Sequence, residues 1–487
     1  MRSTLLRITG PVAGALAYVL LRHHGDSPAL MAGLVVWMAV WWISEAVPIA
    51  VTSLLPLVLF PLFGITSLGD AASNYGKEII FLFLGGFLLA LGIERSGLHR
   101  RIALWIVLRL GGSGERLVLG VMLASALLSM WINSTATVLV MLPIALSLVD
   151  GVVEEEDHLR ISIPLLLGVS FGATIGGMST PVGTPPNLVL LQLWEELFPG
   201  LPRIGFGQWM AFGVPLAVLY LLLSWWLLVR WLYPVATVRL AERSVMERQW
   251  KELGRPTRDE RWSGWIFAGT ALLWVTGDGL DLGAIALPGW RDISWDGVQF
   301  LAPVGDAAVA IAGATLLFIL PSVRGGNERL LGWDFAEKRV PWGVLLLIGA
   351  GLALAMGIAR SGLDQVIGGA MTGLAGWPPA LMLFGLVLVV CLLSELGSNT
   401  ATASLVLPIL ARSADAWQQD PLFLLVPATF AASLGFMLPI ASPMQAIVFG
   451  TGRIPMRAMV RAGIWMDLLG AVLLVALYTL LGRVVYG

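Results

Sequence analysis

The sequence predicts an all-α polytopic membrane protein folded as two inverted repeats, each carrying a re-entrant helical hairpin and a broken transmembrane helix. Three observations predict it. Hydrophobic residues make up 57% of the 487 positions and charged residues only 13%, about half the charged share of a soluble domain. Apolar runs of roughly 15 to 20 residues recur from end to end, the length a helix needs to cross hydrocarbon. Finally, Gly92-Ile93-Glu94-Arg95-Ser96-Gly97-Leu98 returns as Gly357-Ile358-Ala359-Arg360-Ser361-Gly362-Leu363.

These figures exclude an ordinary soluble enzyme and a disordered chain, and a net charge of −1 gives no field to hold nucleic acid. The expected partner is the lipid bilayer. Cys391 is the single cysteine, so no disulfide framework is possible within one chain, and its apolar surroundings predict a core filler. His23, His24, His99 and His158 are the four histidines, and none is paired at a metal-ligand spacing on one helix face.

Arg2 and Arg7 precede a first span at 10–21, which has the front half of a signal peptide but no small-residue cleavage site. Spans follow at 29–44, 49–64 and 79–93, with a more amphipathic stretch at 102–110 placed at the interface. Two apolar arms, 117–131 and 135–148, are each too short to cross comfortably and flank a polar tip. After the acidic residues Glu154, Glu155, Glu156 and Asp157 come 161–178, a Pro/Gly break, 188–197 and 209–228. The charged segment 230–261 is the one plausible linker. Beyond it lie 262–276, 305–320 and 342–357, a second pair of short arms at 379–393 and 400–411, then 422–437, another Pro break, and 462–481. The expected organisation is a first repeat with the N-terminal spans at 1–233, a cytoplasmic linker at 234–261 and a second repeat at 262–487. With the N-terminus cytoplasmic, 23 of the 30 Lys and Arg residues fall on the inner side, as retention of positive loops requires.

The repeat holds at a constant offset of 265 residues. Thr135-Ala136-Thr137 falls on Thr400-Ala401-Thr402, and Leu142-Pro143-Ile144 on Leu407-Pro408-Ile409. In the charge-derived topology the first hairpin opens inward and the second outward. Inverted repeats with paired interruptions are the architecture of secondary transporters, whose site lies near mid-membrane where the broken segments meet.

Four polar interruptions carry the chemistry. The tips are Asn133-Ser134-Thr135 and Ser398-Asn399-Thr400, residue types that cap helix N-termini and leave backbone N–H groups facing an anion. The breaks are Gly183-Thr184-Pro185-Pro186-Asn187 and Ala441-Ser442-Pro443, where a hydroxyl at N-cap and Pro at N1 restart a helix. A single such break reads as a kink or as helix–helix glue; four in symmetric pairs predict one polar site lined by unwound backbone. No Lys or Arg falls in either hairpin, in 161–200 or in 422–452. A polyanion there would bring cations with it, and hydroxyl and carbonyl oxygens suit sodium, which predicts a cation-coupled anion symporter. Glu45 and Glu395 read as buried carboxylates, able to relay a proton; Glu395 could equally brace its hairpin by accepting backbone hydrogen bonds. Asp306 and Asp467 read as span-end residues that cap or snorkel. No nucleophile paired with a base is spelled out, so an enzyme is not expected.

At these residues the chain resembles the divalent anion/sodium symporter family. The resemblance rests on Trp42-Ile43-Ser44-Glu45-Ala46-Val47-Pro48 with Thr52 and Pro56, on Ser129-Met130-Trp131-Ile132, on Gly176-Gly177 through Asn187, on Glu395 through Thr402, and on Ile447-Val448-Phe449-Gly450-Thr451-Gly452. It implies carriage of dicarboxylates, citrate or sulfate by a homodimer whose transport region moves as an elevator against a scaffold. It also implies that Asn133, Ser134, Thr135, Thr184, Ser398, Asn399, Thr400, Ser442 and Pro443 contact the substrate. One sodium would use Ser129, Asn133, Ser134 and Gly183, and a second Ser394, Gly397, Asn399 and Ala441. The chain departs from the family pattern at two places: the first tip reads Asn-Ser-Thr for Ser-Asn-Thr, and Met444-Gln445 stands for Pro-Asn. A sodium-independent exchanger and a sulfate symporter are the alternatives the resemblance leaves open. Arg outnumbers Lys 27 to 3, a composition that points to a bacterial source and so to the inner membrane.

Overall fold

Peptide groups in hydrocarbon have no water to bond, so apolar runs must satisfy their hydrogen bonds internally, as helices. The computed structural model follows this rule. It describes residues 2–110, 113–150, 155–235, 244–278, 280–281, 286–294, 299–325, 328–370, 378–414 and 419–486. Glu154 and residues 236–243 of the expected linker lie outside the described residues. Six helices among those described are long and apolar enough to cross a membrane, including Asp26–Ser44, Arg160–Met178, Trp342–Ser361 and Met456–Tyr486. The expected all-α bundle holds apart from a ribbon of two residues per strand, Leu280–Asp281 against Ala286–Leu287.

Both hairpins and both broken helices form. The first hairpin runs Gly114–Ser129 and Ser134–Asp150, and the second Pro379–Glu395 and Asn399–Ser413. The first broken helix is Glu155–Met178 followed by Pro185–Leu197; the second is Pro421–Ala431 followed by Pro443–Phe449. The sequence repeat is also a structural repeat. Helices Glu78–Ser96 and Trp342–Ser361 end on Gly97 and Gly362 at φ 85° and 76°, a left-handed turn that favours glycine. Ser96 Oγ then donates to the Ile93 carbonyl at 2.9 Å, and Ser361 Oγ to Ile358 at 3.1 Å.

Three expectations need correction. The span at 49–64 is broken into Ile49–Thr52 and Leu55–Leu62, where Pro56 lacks the N–H needed to continue the first turn. Glu45 is exposed rather than buried, on a left-handed turn at φ 47°, because Pro48 closes the helix before it. Asp467 is not at a span end: it sits inside Met456–Tyr486 and is 5% exposed.

Two apolar clusters organise the packing. The larger runs through both halves, with Trp209 stacked on Phe430 at 5.1 Å and Phe171 edge-on to Phe436 at 5.1 Å. The smaller joins Met31, Trp42 and Phe60 of the N-terminal helices to Leu347, Leu354 and Ile358. Gly172 and Gly176 leave no room for side chains against the backbone of Met122 and Ala126. The first hairpin therefore lies directly on the first broken helix, in the manner of small-residue seams in membranes.

Candidate functional site

Each tip is built by local capping. Asn133 Oδ1 accepts from the Thr135 N–H at 2.8 Å, so that side chain closes its own helix end. Ser398 occupies the N-cap of Asn399–Ser413. At the breaks, Thr184 and Ser442 take extended N-cap conformations ahead of Pro185 and Pro443, and Ser442 Oγ accepts from Gln445 N–H at 3.4 Å. The second break is longer than the proline alone suggests. Its first half ends at Ala431, leaving 432–442 without regular helix.

These four local events converge on one cavity of about 280 Å³. All nine residues expected to contact the substrate line it: Asn133, Ser134, Thr135, Thr184, Ser398, Asn399, Thr400, Ser442 and Pro443. The halves touch across it, with Thr135 Oγ1 directed at Met444 Sδ at 3.6 Å, 309 residues away. None of the lining residues is charged. Helices Ser134–Asp150 and Asn399–Ser413 begin at this wall with first-turn N–H groups that have no intrahelical partner, while Pro185–Leu197, whose first two residues are prolines without an N–H, adds only the positive end of its dipole. The arrangement can bind a small anion without a fixed cation.

Sequence reasoning missed the opposite wall. Ile49 together with Pro341, Gly343, Val344 and Leu347 closes the cavity with apolar surface. No local signal marks these residues, since they look like ordinary span residues after a proline. Met444, seen only as a departure from a pattern, also lines the site.

Beside the cavity lie two oxygen clusters. In the first, Ser129 Oγ donates to Ser134 Oγ at 2.8 Å and Ser134 Oγ to the Gly183 carbonyl at 3.3 Å. In the second, Ser394 Oγ lies 2.9 Å from Asn399 Oδ1 and 2.6 Å from the Ala432 carbonyl. Uncharged hard oxygens of this kind suit sodium. The Cα of Gly177 abuts the first cluster, where an added Cβ would stand 2.6 Å from Ser134 Oγ. Gly435 abuts the second, where it would stand 3.4 Å from Asn399 Oδ1 and 3.3 Å from the Ala441 Cβ. Gly397 places its Cα against Ile43, on the smaller-cluster side.

The breaks are braced differently. Asn187 is wholly buried, and its Nδ2 donates to the carbonyls of Gly177 at 3.2 Å and Thr180 at 2.8 Å. Glu395 is 2% exposed and accepts from the N–H groups of Met437 at 2.7 Å and Leu438 at 2.9 Å. The bracing reading of Glu395 therefore matches the geometry. A larger cavity of about 450 Å³, lined by Glu78, Glu195, Arg291 and Asp306 among others, lies away from all four interruptions. It is a salt-bridged vestibule, with Arg291 paired to Asp278 and Asp306.

Comparison with known proteins gives the chain's family and relatives of its fold. A family model described as the sodium:sulfate symporter transmembrane region matches residues 25–487. The sodium-dependent dicarboxylate transporter SdcS of Staphylococcus saprophyticus is 36% identical over 481 residues, covering 96% of this chain and 89% of the relative. SdcS of Staphylococcus aureus is 36% identical over 497 residues, covering 99% and 92%. Among solved structures, the YdaH transporter of Alcanivorax borkumensis superposes with a TM-score of 0.58 at 15% identity, over 85% of this chain and 87% of the other. MtrF of Neisseria gonorrhoeae gives 0.57 at 13% identity, over 84% and 83%. These two likenesses are of fold alone.

Proposed function

The chain belongs to the sodium:sulfate symporter family of membrane transporters, and from that premise we propose that it imports small di- or tricarboxylates of the succinate, malate, fumarate and citrate class together with sodium. It is an integral membrane transporter, not an enzyme. The observation that carries the reading is the 280 Å³ cavity, walled by hydroxyls, amides and helix N-termini from both repeats and free of charged side chains. A dianion held by neutral donors alone keeps its charge in a poorly screened place, and co-bound cations offset that cost. The two oxygen clusters stand next to the same tips that touch the substrate. They are the sodium sites of this reading: Ser129, Asn133, Ser134 and Gly183 in one, and Ser394, Gly397, Asn399 and Ala441 in the other. The small volume favours four-carbon acids, since 280 Å³ is below the roughly 300 Å³ at which pockets for drug-sized ligands begin.

The alternating-access step is read as an elevator. Polar tips and breaks form one side of the cavity, and apolar residues of Ile49 and the start of Trp342–Ser361 form the other. A smooth apolar wall lets the polar side slide past without breaking hydrogen bonds. A homodimer, whose scaffold stays fixed in a bacterial inner membrane with cytoplasmic N-termini, completes the proposal.

Uptake of labelled succinate into proteoliposomes tests it. An inward sodium gradient should accelerate uptake over equal sodium on both sides. No acceleration, with uptake demanding internal dicarboxylate instead, would establish the exchanger, and sodium-driven uptake of labelled sulfate with none of labelled succinate would change the substrate.

A further inference from the structure

The polar side of the cavity holds one long side chain that neither caps a helix nor offers a donor. Aligned on their N-caps, the two breaks read Thr184-Pro185-Pro186-Asn187 and Ser442-Pro443-Met444-Gln445. The first two residues of each line the cavity, and there the repeats part: Pro186 is buried outside it, whereas Met444 lines it. Gln445 turns away toward Glu155–Met178, where its Oε1 accepts from Ser170 Oγ at 3.1 Å. The second break thus presents to the substrate a side chain for which the first has no counterpart.

Met444 is 5% exposed, and its Sδ lies 3.6 Å from Thr135 Oγ1, so a side chain of the second repeat ends against the tip of the first. Its helix, Pro443–Phe449, also packs on Ser134–Asp150, which starts at that tip. A thioether is a weak acceptor, while a carboxylate accepts from a hydroxyl in a stronger, charge-assisted bond. Thr135 therefore rests on sulfur and can be released to an arriving carboxylate at little cost. The bulk of the side chain acts differently. Cγ, Sδ and Cε fill the space beside Thr135 with atoms that carry no donor, and the facing wall of Ile49, Val344 and Leu347 is apolar as well. A diacid with one carboxylate on the first tip must fit its methylenes between these surfaces. In a cavity of about 280 Å³, length is then discriminated by contact, and one methylene too many costs roughly 10- to 200-fold.

We propose that Met444 is the specificity-determining residue for chain length, closing the cavity at the first tip so that it takes four-carbon diacids and turns away longer ones. This rests on the dicarboxylate reading of the site. The tips supply the donors that hold carboxylates, and donors alone do not measure the distance between two of them; a filled end does. Bulk rather than the sulfur acceptor carries the role. Leucine conserves the volume of methionine but offers Thr135 no acceptor, so the two contributions can be separated.

Thermal stabilisation of the purified full-length protein in sodium by succinate, glutarate and adipate measures the discrimination. The wild type should bind succinate at least about tenfold more tightly than adipate. Met444→Ala, which removes Cγ, Sδ and Cε, should narrow that ratio to about threefold or less by gaining affinity for adipate, and Met444→Val should narrow it by less. Met444→Leu should keep the wild-type ratio. Equal binding of the three acids by the wild type would overturn the proposal. So would an unchanged ratio in Met444→Ala, or in Met444→Val where the alanine variant does not fold. A Met444→Leu protein as permissive as Met444→Ala would overturn it too, assigning the effect to sulfur. Stabilisation of the wild type by sulfate and by no diacid would instead sink the dicarboxylate reading itself, and the proposal with it.

Discussion

The two hairpin-and-break pairs descend from one pattern yet stabilise unwound backbone with opposite chemistry. In the first pair the brace is a donor: the Asn187 amide gathers the carbonyls of Gly177 and Thr180, while Thr180 Oγ1 donates to the Met130 carbonyl. In the second pair the brace is an acceptor: Glu395, at the position equivalent to Met130, takes the N–H groups of Met437 and Leu438. Gln445, three residues after its N-cap Ser442 as Asn187 is after Thr184, does not gather its own break at all; its Oε1 accepts from Ser170 on Glu155–Met178 at 3.1 Å. The difference teaches that a mid-membrane break needs every peptide group satisfied, but symmetry does not dictate whether donors or acceptors are supplied. Placing a neutral amide in one half and a carboxylate in the other also puts the acidic side chain near one oxygen cluster only.

The largest break of this comparison should come from Glu395→Ala. Two buried N–H groups lose a charged acceptor, so a loss of about 3 kcal/mol or more is expected in thermal unfolding of the purified protein, against about 1 kcal/mol for Met130→Ala. Similar losses would mean the two halves are braced alike. Next, Asn187→Ala should cost about 2 kcal/mol and raise the sodium needed for half-maximal uptake, while Gln445→Ala should cost about half that, because only one of its bonds is made. Smaller still is the steric contrast. Gly177→Ala drives a methyl to 2.6 Å from Ser134 Oγ, whereas the methyl of Gly435→Ala meets nothing nearer than 3.3 Å. Sodium-driven uptake should fall about tenfold in the first and less than about twofold in the second; the reverse order would exchange the roles of the two clusters. The least effect is expected from Gln445→Asn, under about 1 kcal/mol, since Ser170 Oγ also bonds the Leu167 carbonyl at 3.1 Å.

What could be read in advance follows a physical boundary. Tips and breaks were legible because capping is local: a hydroxyl or amide at N-cap and a proline at N1 act within about four residues. The sequence could therefore name Asn133 to Thr135, Thr184, Ser398 to Thr400, Ser442 and Pro443 before any packing was known, and the constant offset of the repeat could pair the two tips. Glu45 misled because its apolar neighbourhood gives no hint that Pro48 turns the chain outward at φ 47°. Asp467 misled because membrane depth was judged from distance along the chain, whereas its burial comes from Pro379–Glu395 and Phe206–Trp226 closing over it.

The sequence by itself determined that the chain is a membrane bundle with two hairpins, two interrupted helices and uncharged polar interruptions, because hydropathy, repeat and capping are properties of short stretches. Only the tertiary structure decided that Ile49 and Leu347 form the facing wall, that Asn187 and Glu395 brace opposite halves, and that Asp467 is buried. Those pairings join residues tens to hundreds of positions apart, and which of many equally apolar helices come into contact is settled by the packing of the whole bundle.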